Sequence, residues 1–160
     1  NDIWKVAVAD WSANGYRLPT EMEWMWAAMG AEDDYTKAFA GYDGENSIGD
    51  YAVYGYNDNP KNDGQTTTQR SDPVGGKLAN ELGLHDMSGN VWEWTWDWWE
   101  ASYPNGELYD YTGPATTVNR VMRGGSWNTS AAYATVAYLS HYYPYSKHCR
   151  IGFRVVVSAP

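Results

Sequence analysis

Side chains suited to engaging a ligand are concentrated between Asn128 and Arg150, a twenty-three-residue stretch framed by Arg123-Gly124-Gly125-Ser126-Trp127 and Ile151-Gly152-Phe153-Arg154. It holds five tyrosines (Tyr133, Tyr138, Tyr142, Tyr143, Tyr145), two histidines (His141, His148) and the chain's single cysteine, Cys149. It has no Asp, Glu, Gln, Met or Trp, in a chain with ten Trp and twenty acidic residues. Tyrosine is large, amphipathic and has only two side-chain torsions to freeze, while Ser, Thr and Asn supply adaptable hydrogen bonds; together they make the mixture of a binding loop. A tyrosine-rich strand or loop of the core is the alternative. The seven-residue separation of His141 and His148 fits no short metal-ligand spacing. One thiol forms neither an internal disulfide nor a thiolate metal site, so cysteine usage leaves the compartment open.

Such a loop needs a frame, and several elements are legible. Residues 1–14 carry Ile3, Val6, Ala7, Ala9 and Trp11 at roughly helical spacing, which predicts a short amphipathic helix. Thr20 followed by Glu23 predicts a capping box, Trp24, Met25, Ala27 and Ala28 an apolar face, and Gly30 the helix stop. Residues 31–82 are rich in Gly, Asp, Asn and Thr and read as long ordered loops with one short strand near Tyr51 to Tyr56. From Val91 to Trp98 the residues alternate. That predicts a half-buried strand with Trp92, Trp94, Trp96 and Trp98 on its core face and Val91, Glu93, Thr95 and Asp97 on the other. Val118 to Arg123 and Phe153 to Val157 read as two further strands.

A chain of 160 residues suits a single domain spanning 1–160. No apolar run is long enough to span a bilayer. The net charge of −9 argues against nucleic acid as partner, because phosphate binding rests on clustered Lys and Arg. The sequence starts with Asn1 rather than Met, so we expect processing or truncation upstream, where an export or lipid signal would lie.

Four segments together resemble the formylglycine-generating-enzyme, or sulfatase-modifying-factor, family: Tyr16-Arg17-Leu18-Pro19-Thr20-Glu21-Met22-Glu23-Trp24, Gly83-Leu84-His85-Asp86-Met87-Ser88-Gly89-Asn90-Val91-Trp92-Glu93-Trp94, Arg123-Gly124-Gly125-Ser126-Trp127 and Ile151-Gly152-Phe153-Arg154-Val155-Val156. Each is weak alone, and their order makes the resemblance strong. It implies an irregular α+β, C-type-lectin-like fold with two helices, short antiparallel strands and long loops. It also implies a preceding segment with a strand near the C-terminal one, absent here or on a separate N-terminal fragment. Phe153 to Val157 would then present a sheet edge unless something covers it.

In catalytic members of that family a cysteine pair follows the Arg-Gly-Gly-Ser-aromatic motif, at positions that correspond to Thr129 and Ala134. Neither supplies the thiolate that Cu(I) binding and thiol oxidation require. The resemblance also implies a structural Ca²⁺ around Gly89, Asn90, Val91 and Glu93, with Asn90 and Glu93 as side-chain ligands. The alternative is that Asn90 occupies a turn and Glu93 pairs with a base. No other cofactor is expected.

The framed insert is further similar to the variable region of proteins diversified by bacterial retroelements. There, template Asn codons mutate at adenines while the final pyrimidine is kept, so Gln, Glu, Lys, Met and Trp are excluded. That resemblance makes 128–150 a variable ligand-binding region, diversified at Asn128, Thr129, Ser130, Ala132, Tyr133, Tyr138, Ser140, His141, Tyr142, Tyr143, Tyr145, Ser146, His148, Cys149 and Arg150. Lys147, Ala131, Ala137 and Pro144 fall on template-fixed positions, while Ala134, Thr135 and Leu139 depart from the expected pattern. The expectation is a non-enzymatic receptor or adhesin at a bacterial cell surface or secreted, with a protein or glycan ligand. A formylglycine-generator-like oxidase and a glycan-binding accessory module are the alternatives.

Overall fold

The computed structural model describes residues 7–31, 37–42, 47–62 and 64–157. Its best-predicted element is helix α1, Glu21–Ala28. Thr20 accepts from the Glu23 backbone N–H, and the Glu23 carboxylate accepts from the Thr20 N–H, which satisfies two donors that a helix start leaves orphaned. Arg17 grips the same Glu23 carboxylate with both terminal nitrogens at 2.6 Å. Gly30, at φ +77°, ends the helix in the left-handed conformation expected at that position.

Strand β1, Tyr16–Arg17, precedes α1, and the four-residue helix α2, Ile48–Tyr51, follows it. The remaining strands are β2 (Trp92–Trp98), β3 (Arg120–Arg123), β4 (Ser140–Tyr142), β5 (Ile151–Phe153) and β6 (Val156–Val157). A four-stranded sheet runs β4-β3-β2-β5, with β2 antiparallel to β3 and parallel to β5, and β3 antiparallel to β4. A second, two-stranded sheet joins β1 and β6. The irregular α+β architecture with two helices and long loops is as expected. The apolar core gathers Trp24, Ala28 and Met29 of the α1 region with Ala40, Met87 and Val136.

Four expectations need correction. Ile3 and Val6 lie outside the described residues, and residues 7–14 are not helical. There the Asp10 carboxylate accepts from the N–H and hydroxyl of Ser12, a local turn that competes with a helix. No strand covers Tyr51 to Tyr56. Ser47 and Asp50 cap α2 instead, and only Val53 forms a single bridge, to Gly89.

On β2, the face expected to be solvent-directed is buried: Glu93 is 5% exposed, Thr95 0% and Asp97 2%. The strand is central and α1 packs on that face, so its polar residues are retained with partners. Glu93 accepts from the Trp24 indole at 2.6 Å, Thr95 donates to the Val121 carbonyl, and Asp97 accepts from the Glu21 N–H at 2.6 Å. Trp92 and Trp98 are buried, and Trp94 and Trp96 only half-buried. Finally, Phe153 to Val157 is not one strand. It splits at Arg154, whose guanidinium turns back to grip Glu93 (2.6 and 2.8 Å), and β6 is covered by β1 of the same chain.

Candidate functional site

The insert starts from a tightly built turn. Thr129 Oγ1 donates to the Ser126 carbonyl (2.9 Å) and accepts from the Ser126 N–H (3.0 Å), while Ser126 Oγ donates to the Asn128 side-chain oxygen. Asn128 is 8% exposed. These first two residues of the predicted face are therefore structural. Gly125, at φ +76°, permits the close approach that follows: a Cβ there would lie 2.9 Å from Ala134 Cα.

The insert is pinned again at its middle. A 3-10 turn over Ala131–Tyr133 leads to Ala134 and Val136, which are 0% and 2% exposed. Arg123 reaches under this loop and donates to the carbonyls of Val136 (3.1 Å) and Ala137 (2.9 Å), and its other terminal nitrogen pairs with Glu21. Both partners of that ion pair are almost wholly buried. Their interaction thus ties α1, β3 and the insert together, and removing one partner would strand the other's charge. Beyond this point β4 zips onto β3 with Tyr142 opposite Arg120 and Ser140 opposite Met122.

Between these anchors the tyrosines point outward. Tyr133, Tyr138, Tyr142, Tyr143 and Tyr145 are between 37% and 51% exposed. Tyr133 meets Tyr138 edge to face at 4.8 Å, and Tyr138 lies against Trp92. Tyr143 stacks on Tyr145 at 5.4 Å and meets Tyr142 at 5.9 Å. Such contacts restrict the rings' torsions. Of the other predicted positions, Ala132, His148 and Cys149 are exposed; Ser130, Ser140, His141, Ser146 and Arg150 are half-buried. His141 stacks on Trp99 at 3.9 Å, with Asn119 Nδ2 2.9 Å from its Nδ1, and His148 accepts from Arg150 Nε at 3.2 Å. Among the described residues no group of three or more His, Cys, Asp or Glu side chains is placed to hold a metal.

The predicted Ca²⁺ ligands are engaged elsewhere. Asn90, at φ +62°, sits in a turn, and its side chain exchanges hydrogen bonds with the backbone of Asp72 (3.0 and 3.3 Å). Both Glu93 oxygens are held by Arg154, one of them also by Trp24. This is the turn and base-pairing alternative. A cation on these side chains would have to displace a guanidinium, so the pair does not fit Ca²⁺. The positions matching the family's cysteines offer no redox chemistry either: Thr129 is committed to the Ser126 turn, and Ala134 is buried.

Sequence reasoning missed the polar residues beneath the site. Burial pushes the Asp97 carboxyl up to about 7, with the Glu21 N–H pulling it down and the Glu21 charge adding to the rise. Burial lowers Arg120 to about 10. The position of Arg123 inside the quoted Arg-Gly-Gly-Ser motif was the available signal for one of these residues. None marked Asp97 or Arg120.

The fold and framed insert define a domain of the formylglycine-generating-enzyme class. Residues 4–159 match the family described as sulfatase-modifying factor enzyme 1-like domain, and the chain belongs to that family. Its structure is similar to that of Treponema denticola variable protein 1, with a TM-score of 0.81 and 38% identity, over 97% of this chain and 52% of that one. The mouse formylglycine-generating enzyme is 33% identical over 94% of this chain and 41% of its own length. The chaperone protein LppX of Paenibacillus barcinonensis is 35% identical over 86% and 47%. The chain therefore spans about half the length of the curated relatives it matches, or somewhat less.

Proposed function

We propose that this chain is a non-enzymatic ligand-binding domain, displayed at a bacterial surface or secreted, that engages a protein or glycan through the exposed part of 128–150. The observation that carries the reading is the division of the insert into buried anchors and an outward tyrosine face. Tyrosine and arginine side chains commonly dominate binding energy, and the face offers five tyrosines with Arg150. Likeness to the Treponema variable protein supports the ligand-binding reading, and the codon-restricted alphabet of the insert is the ground for inferring diversification by a retroelement. Exchanging the exposed residues as a set, with Asn128, Thr129, Ala134 and Val136 kept, is expected to change ligand choice while thermal stability stays nearly constant. Unfolding of such exchanged proteins, or unchanged ligand choice, would refute the reading.

Similarity to formylglycine-generating enzymes supports an oxidase as the second reading. Its available thiol is Cys149, exposed and 3.5 Å from His148 Nδ1. Thiol-substrate oxidation by the parent protein that disappears in Cys149→Ser would establish it, and no turnover by the parent would dismiss it.

A further inference from the structure

Arg120 is a buried cation with no hydrogen-bonded anion. It is 6% exposed, and its guanidinium carbon lies 4.0 Å from the Trp98 ring centroid and 4.6 Å from that of Trp96. Its Nη1 has no hydrogen-bond partner, and no carboxylate among the described residues forms an ion pair with it, the buried Asp97 acting on it only through its charge. Two indole faces offset part of the lost hydration but accept none of its N–H donors in the plane of the guanidinium. A buried donor of this kind is satisfied by protein, by ordered water or ion, or by a ligand.

Arg120 lines a cavity of about 480 Å³, a size typical of small-ligand sites. Trp94, Trp96 and Phe153 of the framework line it together with Tyr145 and Lys147 of the insert. No Asp or Glu is among the described residues lining it, although the chain carries a net charge of −9. The surface is mainly aromatic and aliphatic, with cationic side chains from Arg120 and Lys147.

We propose that this cavity is a subsite for a carboxylate carried on an apolar body. The carboxylate would accept from the planar donor fork of Arg120, and the body would lie against Trp94 and Phe153. The inference rests on the reading of the insert as a binding face, because the insert supplies part of the lining, while the framework supplies the anchor. Exchange of Tyr145 would alter which body fits and leave the carboxylate requirement in place.

The test is titration of the purified protein, followed by tryptophan fluorescence and calorimetry, with 3-phenylpropionate, 3-phenylpropionamide, and a short peptide ending in phenylalanine with a free or amidated terminus. The acid is expected to bind at least about tenfold more tightly than the neutral amide, as charge-assisted bonds to Arg predict. Arg120→Gln should abolish that discrimination, and Tyr109→Ala, at an 83% exposed position outside both the cavity and the insert, should leave it intact. Binding of the free-ended peptide as well as the acid would identify a protein chain end as the source, and binding of the acid alone a small molecule. Should Arg120→Gln fail to fold, Phe153→Asp places a repelling carboxylate at a 68% exposed position and should remove acid binding. Equal binding of acid and amide, binding of neither, or full acid binding by Arg120→Gln or Phe153→Asp would overturn the proposal. Loss of the subsite while ligand choice still follows the insert sinks this inference alone. A working subsite with ligand choice indifferent to the insert sinks the proposed function alone.

Discussion

Replacing Asp97 by Asn tests whether the buried polar layer under the sheet carries the electrostatic cost that its geometry implies. Asp97 is 2% exposed, its Oδ2 accepts from the Glu21 N–H, and burial raises its carboxyl from 3.8 to about 7. An acid whose folded value is raised holds its proton in the native state over a range where the unfolded chain has lost it. Stability must therefore fall as pH climbs from about 4 to about 7; the penalty is absent below that window and complete above it. The interval corresponds to about 4 kcal/mol, or about 1.4 kcal/mol per pH unit within the window. Asparagine keeps an oxygen for the Glu21 N–H and cannot ionise. Its amide group adds a constant offset, which does not change with pH. Urea denaturation at half-unit steps from pH 4 to pH 8 should show the difference between Asp97→Asn and the parent moving by about 4 kcal/mol in favour of the variant. A difference that stays flat across the window would refute the reasoning, because it would mean that Asp97 ionises in the fold at no cost.

Other consequences follow from the same packing. Glu21→Ala leaves Arg123 buried and unpaired and should cost about 3–5 kcal/mol in chemical denaturation; Glu21→Gln, which retains an acceptor, should cost less. Gly125→Ala demands a left-handed alanine whose methyl would meet Ala134, and a loss of about 1–3 kcal/mol is expected by the same measurement. Cys149→Ser should change stability by less than about 0.5 kcal/mol, since the residue is exposed; the native thiol should also titrate fully with a disulfide reagent without unfolding.

Local signals in the sequence were reliable where a few adjacent residues decide the outcome. Thr20 and Glu23 satisfy each other's backbone within one turn, and Gly30 ends the helix through its own φ, so α1 needed no distant information. The tyrosines of the insert stood out by composition, which left a core strand or loop open, and only the packing, with all five between 37% and 51% exposed, decides between the two. Alternation along β2 gave the right strand but one buried face where there are two, because period two cannot say which side a helix will cover. Glu93, Thr95 and Asp97 look solvent-directed until Trp24, Val121 and Glu21 are brought to them from 26 to 76 positions away. Separation along the chain likewise hid Arg120, whose two tryptophans come from the neighbouring strand across a register shift in β2.

Within the insert the expected variable positions and the packing meet at neighbouring residues: Ala134, sealed against Gly125, and Val136 lie outside the expected variable set, Tyr133 beside Ala134 lies inside it and is 42% exposed, and Asn128, also inside it, is 8% exposed. A variable surface works on a stable frame only if variation avoids the sealed positions. Randomising Tyr133, Tyr138, Tyr142, Tyr143 and Tyr145 should consequently yield mostly folded proteins, with stabilities within about 1 kcal/mol of the parent. Randomising Ala134 and Val136 should yield mostly unfolded ones, because bulk or charge there must either overfill the core or enter it unpaired. Sorting both libraries by protease resistance separates these outcomes. Equal survival would mean that the anchors do not hold the loop, and a tyrosine face without a rigid base would lose its physical rationale as a binding surface.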